Sequence, residues 1–144
     1  MRRFRFGLEK VLELRQYHEQ EAKNELGQAI GVLTAIENAI KNNAVIRHHA
    51  AQERFTGINA DASSVLAWDS YILRLEQEAE RLMEEAAKAE LIVEQKRNQY
   101  LEASRELKVM EKLKEKRAQE HRKAMFAAET RELDDRRRVN GGLG

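Results

Sequence analysis

One heptad repeat constrains the fold of this chain more than any other feature. Between Trp68 and Met110, two sets of positions seven residues apart carry apolar side chains, with Lys96 as the one charged exception. The first set is Trp68, Leu75, Leu82, Ala89, Lys96, Ala103 and Met110, and the second is Ile72, Ala79, Ala86, Val93, Tyr100 and Leu107. A repeat of this period over about six heptads predicts a long helix that packs against another helix.

The first part of the chain carries the same period with polar interruptions. Its two sets are Leu8, Arg15, Ala22, Ala29 and Ile36, and Leu12, Glu19, Leu26, Leu33 and Ile40. Asn43 and Arg47 occupy the next positions, where the apolar stripe weakens. Two interpretations of Arg15 and Glu19 stay open. They are polar residues that set the register of the helix pair, or the arginine contacts a partner protein.

Residues 56–64 form the one stretch that is typical of a turn. Gly57 and Asn59 tolerate positive φ, which a chain reversal often requires. Three residues can cap the helix that follows, namely Asp61, Ser63 and Ser64. Pairing Leu8 with Met110 places the midpoint of the two helices near Asn59, inside this stretch.

These features predict an all-α fold, in which two long helices form an antiparallel coiled-coil hairpin. We expect residues 1–144 to form a single hairpin domain. The predicted parts are helix 1 at about 4–55, a turn at about 56–64, helix 2 at about 64–138 and a disordered tail at 139–144. In this register Phe4 faces Lys114, so helix 2 is longer and overhangs its partner after about Arg117.

Composition excludes several classes of function. Charged residues make up 35% of the chain, aromatic residues 6%, and proline is absent, which favours long helices over a globular core. The net charge of +1 is far from the strongly basic balance of nucleic-acid-binding proteins. No cysteine, secretory signal or apolar run of about 20 residues is present. We therefore expect a cytoplasmic protein that does not insert into the membrane.

No motif indicates catalysis. The glycines form no phosphate-binding loop, and no H-E-x-x-H zinc motif occurs. His48 and His49 are adjacent, so they point in different directions on a helix and chelate one ion poorly. The glutamates between residues 76 and 90 are typical of a solvated acidic face, because acid–base catalysis requires a partly dry pocket. We expect no enzyme activity, no metal and no cofactor.

Charge is distributed unevenly along the chain. Residues 1–10 carry a net charge of +3 and residues 105–123 a net charge of +4, whereas residues 76–90 carry −4. The hairpin register would place the two basic stretches side by side at the open end. Two interpretations stay open: ordinary salt bridges along helices, or a basic end that is steered into an acidic or carbonyl-lined socket.

Two motifs near the ends of the chain resemble a known family. They are Phe4-x-Phe6-x-Leu8-x-x-Val11-Leu12-x-x-Arg15, followed by Glu21-Ala22, and the lysine-rich segment Val109-Met110-Glu111-Lys112-Leu113-Lys114-Glu115-Lys116-Arg117. Together with the length and the position of the turn, they resemble the FliJ family of flagellar type III export proteins.

The resemblance implies a function in bacterial flagellum biogenesis and motility. Members of that family are soluble stalks that resemble the coiled-coil rotor of rotary ATPases. Their joined ends insert into the hexameric export ATPase. They also contact the export gate membrane protein and handle export chaperones. The location implied is cytoplasmic, peripheral to the inner membrane at the flagellar base. We expect the free chain to be a monomer.

Two groups of residues follow from that resemblance. The ATPase-ring binding residues would be Leu8, Leu12, Arg15, Lys112, Lys114 and Arg117. The export-gate binding residues would lie in the middle of the hairpin, at Ile36, Ile40, Asn43, Arg47, Ile72, Leu75, Ala79 and Met83.

Two other functions compete with the stalk. The chain could be a structural or tethering coiled coil that acts by dimerisation, or a hairpin arm that binds nucleic acid. The second is disfavoured by the net charge of +1.

Overall fold

The computed structural model describes residues 2–56 and 61–142, and helices dominate both ranges. Helix α1 is Glu9–Thr56, with 48 residues, and helix α2 is Ala62–Gly142, with 81 residues. The described ranges contain no β strand. The predicted all-α fold of two long helices, with the second one longer, is confirmed.

The helix boundaries differ from the predicted ones mainly at the N-terminal end. Helix α1 begins at Glu9 rather than near Phe4, because residues 2–8 are non-helical. Helix α2 continues to Gly142, so residues 139–142 are helical and not the disordered tail that we expected. The predicted turn residues 57–60 and the last two residues, 143–144, lie outside the described residues.

Asp61 caps the start of α2. Its Oδ1 accepts a hydrogen bond from the backbone N–H of Ser64 at 2.8 Å, and its carbonyl accepts one from the N–H of Val65 at 3.1 Å. The Ser64 backbone N–H and then the Ser64 hydroxyl stabilise the carboxylate, which lowers the pKa of Asp61. Of the three candidate caps, Asp61 therefore satisfies the first N–H groups of the helix.

The heptad repeat marks the side chains that pack between the helices. Every position of the four predicted sets is buried or half-buried. The buried apolar residues among those described are Phe6, Leu12, Ala29, Ala50, Ala79, Leu82, Ala89 and Val93. Half of them are alanines, which bury little area and contribute little at about 25 cal/mol per Å² of apolar surface. The helix contact is consequently stabilised weakly per layer.

The described residues group into two compact units. Unit 1 consists of Met1–Glu21 and Leu101–Gly144, and unit 2 of Ala22–Tyr100. In each unit the earlier helix segment runs antiparallel to the later one, as the hairpin predicts. Ion pairs show this: Glu9 with Lys114 and Arg15 with Glu106 in unit 1, and Glu25 with Lys96 and Arg54 with Asp69 in unit 2. That residues 1–144 form a single domain stays a prediction.

Candidate protein-binding surface

The N-terminal strap, which we define as residues 2–8, lies against α2 in unit 1. The Phe4 ring packs on the His121 ring, with 5.6 Å between centroids and 52° between planes. Phe6 is buried, and the guanidinium carbon of Arg117 lies 5.7 Å from the centroid of its ring. The Phe6 carbonyl accepts a hydrogen bond from the N–H of Glu9 at 3.2 Å, where α1 begins. Two aromatic side chains thus anchor the strap.

The strap shifts the register that the sequence predicted for this end. Two residues of strap, from Phe6 to Phe4, span four residues of α2, from Arg117 to His121. An extended chain rises about 3.3 Å per residue and a helix 1.5 Å, so the two lengths match. The prediction that Phe4 faces Lys114 is therefore wrong, because Glu9 pairs with Lys114 instead.

The overhang of α2 begins later than predicted for the same reason. Ala118, His121 and Met125 are half-buried, although they follow Arg117. Residues 126–142, which we call the exposed segment of α2, are exposed at every position. The strap therefore extends the paired part of α2 to about Met125.

The predicted ATPase-ring residues divide into an inner and an outer group. Leu12 is buried and Leu8 is half-buried in the helix contact. Arg15 pairs with Glu106 at 2.7 Å, and Lys114 pairs with Glu9 at 2.9 Å. Lys112 and Arg117 are exposed, and Lys112 has no ion pair in the part of the chain that the structure describes. Of the six residues, these two are the exposed ones.

We did not predict the strap, because helix 1 was expected to begin near Phe4. Arg2, Arg3 and Arg5 are all exposed, while Phe4 and Phe6 face α2. Alternation of charged and apolar residues is typical of an extended segment with one buried face. This signal was present in residues 2–6, although it covers only five positions.

The predicted export-gate residues lie mostly between the helices of unit 2. Ile36, Ile40, Arg47, Ile72 and Leu75 are half-buried, Ala79 and Asn43 are buried, and Met83 is exposed. Other apolar side chains of the same stretch point outward, namely Val45, Ile46 and Leu73. The gate contact stays a prediction.

Asn43 makes its polar contacts within the helix pair. Its Nδ2 donates to the Leu75 carbonyl at 3.0 Å, and its Oδ1 accepts a hydrogen bond from Arg47 Nε at 2.8 Å. The apolar stripe is thus interrupted by a hydrogen-bonded polar pair, Asn43 and Arg47. These two side chains do not both point outward.

The acidic stretch of unit 2 contains ordinary helix-surface ion pairs. Arg81 donates to Glu78 and, at 2.6 Å, to Glu85. The hydrogen bond from Arg81 lowers the pKa of Glu78, and the bond to Glu78 raises the pKa of Arg81. All three side chains are about half exposed, so the pairs contribute little to stability.

Across 2–56 and 61–142, no group of three or more His, Asp or Glu side chains is placed to hold a metal ion. Neither helix, over its described length, has an apolar stretch long enough to cross a membrane.

The fold defines a class: a two-helix antiparallel coiled-coil protein. Residues 4–140 match the family described as the flagellar FliJ protein, and the chain belongs to that family. This is a family of flagellar export components and not a known enzyme family. No significant match was found among curated proteins or among solved structures.

Proposed function

We propose that the chain is a non-enzymatic stalk and adaptor of flagellar type III protein export. Its terminal end, in unit 1, inserts into the hexameric export ATPase. Other parts of the chain contact the export gate membrane protein and the export chaperones. It acts in the cytoplasm at the inner-membrane periphery of the flagellar base, as a monomer when free, without a cofactor, and it supports motility.

The observation that carries this proposal is the basic surface of unit 1. Residues 1–10 and 105–123, with net charges of +3 and +4, belong to the same compact unit. The exposed cations of this surface include Arg3, Arg5 and Lys112. A surface of one sign raises the rate of encounter with an oppositely charged partner and fixes the orientation of docking. This supports binding to an acidic or carbonyl-lined socket.

Exposed apolar residues support a second contact in unit 2. Val45 is 59% exposed, Leu73 55% and Met83 57%, in the stretch that the family resemblance assigns to the export gate. Large contiguous patches of exposed apolar side chains mark protein-interaction sites. The half-buried Ile36, Ile40, Ile72 and Leu75 support the helix pair beneath such a contact.

Charge reversal tests the ATPase contact. Lys112→Glu removes an exposed cation that has no ion pair in the described residues, and we expect binding to the purified export ATPase to weaken about three- to tenfold. Adding Lys114→Glu should weaken it further, and it also breaks the pair with Glu9. Circular dichroism must therefore show that helicity is intact.

Lys41→Glu and Lys88→Glu in unit 2 form the matched control, since both residues are exposed lysines. Their affinity for the ATPase should equal that of the wild type. If the Lys112 and Lys114 variant binds as tightly as the wild type, the assignment of this surface is wrong.

One observation favours the alternative of a tethering coiled coil. The exposed segment of α2 carries Phe126 at 73%, Leu133 at 59% and Val139 at 63% exposure. A second chain could cover these side chains and produce a dimer. The two functions therefore differ in the oligomeric state that they predict.

A further inference from the structure

Residues 26–36 of α1 contain little that favours a helix by itself. Gly27 and Gly31 lie within this stretch. Four further residues are β-branched, namely Ile30, Val32, Thr34 and Ile36. Both kinds of residue lower helix propensity. None of residues 26–36 is charged, so no ion pair within the stretch supports the helix. The helix here therefore depends on its contact with α2.

Neither glycine is required by the fold. Gly27 and Gly31 are exposed and neither has a positive φ. A Cβ atom added to either would meet nothing within 4 Å beyond its own helix turn. A glycine inside a helix disfavours the helix about four- to fivefold relative to alanine, because the unfolded glycine backbone has more freedom. The two glycines thus weaken this part of α1 about twentyfold with no gain in packing.

Two contacts within unit 2 show what the stretch covers. Lys96 Nζ lies 3.2 Å from Glu25 Oε2, and Asn43 Nδ2 donates to the Leu75 carbonyl at 3.0 Å. The helices run antiparallel between these two points. Residues 26–36 consequently lie opposite the part of α2 that shortly precedes Lys96. That part contains the buried side chains of Ala89 and Val93.

We propose that residues 26–36, which we call the cover segment, open locally from α2 and form a removable cover over Ala89 and Val93. In the open form the cover segment loses its helix, and the apolar side chains beneath it are uncovered. The contact between Asn43 and Leu75 stays intact. This inference goes beyond the proposed function and does not depend on it, since it assigns a second conformation to unit 2.

The two ends of the cover segment are held differently. The side chains of Glu25 and Lys96 are 43% and 30% exposed, so salt screens their ion pair. Asn43 at the other end is buried, and its hydrogen bond to Leu75 is therefore screened much less. The cover segment thus opens from the end at Glu25, and it opens more often as the salt concentration rises.

Thiol labelling of single-cysteine variants of the full chain measures this opening, because the chain contains no cysteine. Ala89 lies beneath the cover segment, and Ala79, which is equally buried, lies nearer to the Asn43 contact. We expect the Ala89→Cys variant to react with dithiobis(nitrobenzoate) about tenfold faster than the Ala79→Cys variant. Its rate should also depend less on urea, because a local opening exposes less surface than global unfolding.

Further substitutions in the Ala89→Cys variant test what sets the opening. Gly27→Ala with Gly31→Ala should slow its labelling about ten- to thirtyfold. Gly141→Ala with Gly142→Ala is the matched control, since these helical glycines have equally open surroundings, and it should leave the rate unchanged. Glu25→Gln should speed labelling about two- to fivefold and should reduce its dependence on salt.

Native-state hydrogen exchange of the wild type gives a second measure that needs no substitution. The amides of residues 28–36 should exchange faster than those of residues 37–46, which flank Asn43. The reverse order would overturn the proposal. Equal labelling rates with equal urea dependence at positions 79 and 89 would also overturn it, because the helix pair would then open only as a unit. An unchanged rate after Gly27→Ala with Gly31→Ala would show that the glycines do not set the opening.

Discussion

At the residue scale, Asn43 shows how a polar side chain is accommodated in an apolar stripe. It is 5% exposed, and its amide bonds both the Leu75 carbonyl and Arg47. A buried hydrogen-bonded asparagine fixes the register of a coiled coil at some expense of stability. The bond to the Leu75 carbonyl therefore ties α1 to α2 at this layer of unit 2.

Replacing this asparagine should weaken unit 2. Asn43→Ala removes two hydrogen bonds, each of which contributes about 0.5–1.5 kcal/mol, so the free energy of unfolding should fall by about 1–2 kcal/mol. Urea denaturation followed by circular dichroism measures this. Asn42→Ala is the control, because Asn42 is exposed, and it should change the value by less than about 0.5 kcal/mol. Equal effects of the two changes would contradict the role given to Asn43.

Asp61 makes the start of α2 sensitive to acid. Its pKa is lowered in the folded chain, so its contribution is fully present above the ordinary aspartate pKa and is lost as pH falls through the folded value. We expect the wild type to lose thermal stability below about pH 4 more steeply than Asp61→Asn, which keeps a capping side chain that does not titrate.

Asp61→Ala should be less stable than both at neutral pH. Melting temperatures measured across the acid range decide this, and identical pH profiles for the wild type and Asp61→Asn would show that the cap carboxylate has no such role.

The sequence alone did not determine the role of a residue that has several possible partners within reach. Arg15 could set the register or contact a partner protein, and only its distance to Glu106 shows that it is engaged inside unit 1. Asp61, Ser63 and Ser64 were equivalent candidates as caps, because the choice depends on where the first helical turn begins.

At the element scale, α2 has a paired part and an exposed segment. Residues 126–142 are helical but exposed throughout, so they contribute little to the contact between α1 and α2. In proteins most of the stability of a helix comes from tertiary packing of its apolar face, which this segment lacks. The segment is therefore the part of α2 that a partner or a second chain would stabilise.

Deleting residues 127–144 tests what covers the exposed segment. As the segment buries no side chain, the deletion should change the free energy of unfolding by less than about 1 kcal/mol. Sedimentation equilibrium should show a monomer both before and after the deletion. A full chain that sediments as a dimer, and as a monomer once shortened, would support the tethering function instead.

The strap could have been predicted only in part. The heptad positions begin at Leu8, and helix 1 was expected from about Phe4 because no proline interrupts residues 4–8. The competing signal, alternation in residues 2–6, is short, and an extended strap becomes favourable only because α2 supplies Arg117 and His121 as contacts. That tertiary contact is not visible in local sequence.

At the scale of the whole molecule, the repeat period determined most of the fold. The seam positions, the antiparallel pairing within each unit and the greater length of α2 all followed from heptad spacing and one turn-like stretch. Which surface charges form ion pairs could not be predicted in this way, because ion pairing depends on side-chain distances such as that from Lys114 to Glu9.

The alanine-rich seam connects the fold to its proposed role. Small residues such as Ala29, Ala79 and Ala89 allow close helix packing but bury little apolar area. A chain built in this way gains stability by binding a partner, since any ligand of the folded state shifts the equilibrium toward it. The basic surface of unit 1 is where we expect that partner to bind.

Engagement of the export ATPase by the basic end of this chain can be measured as the rate of ATP hydrolysis by the purified ATPase. We expect the wild-type chain and the variant with Lys41→Glu and Lys88→Glu to stimulate hydrolysis equally. A variant with Arg3→Glu, Arg5→Glu and Lys112→Glu, with its helicity intact, should stimulate hydrolysis weakly or not at all. Normal stimulation by that triple variant, or none by the wild type, would show that the basic end does not engage the ATPase.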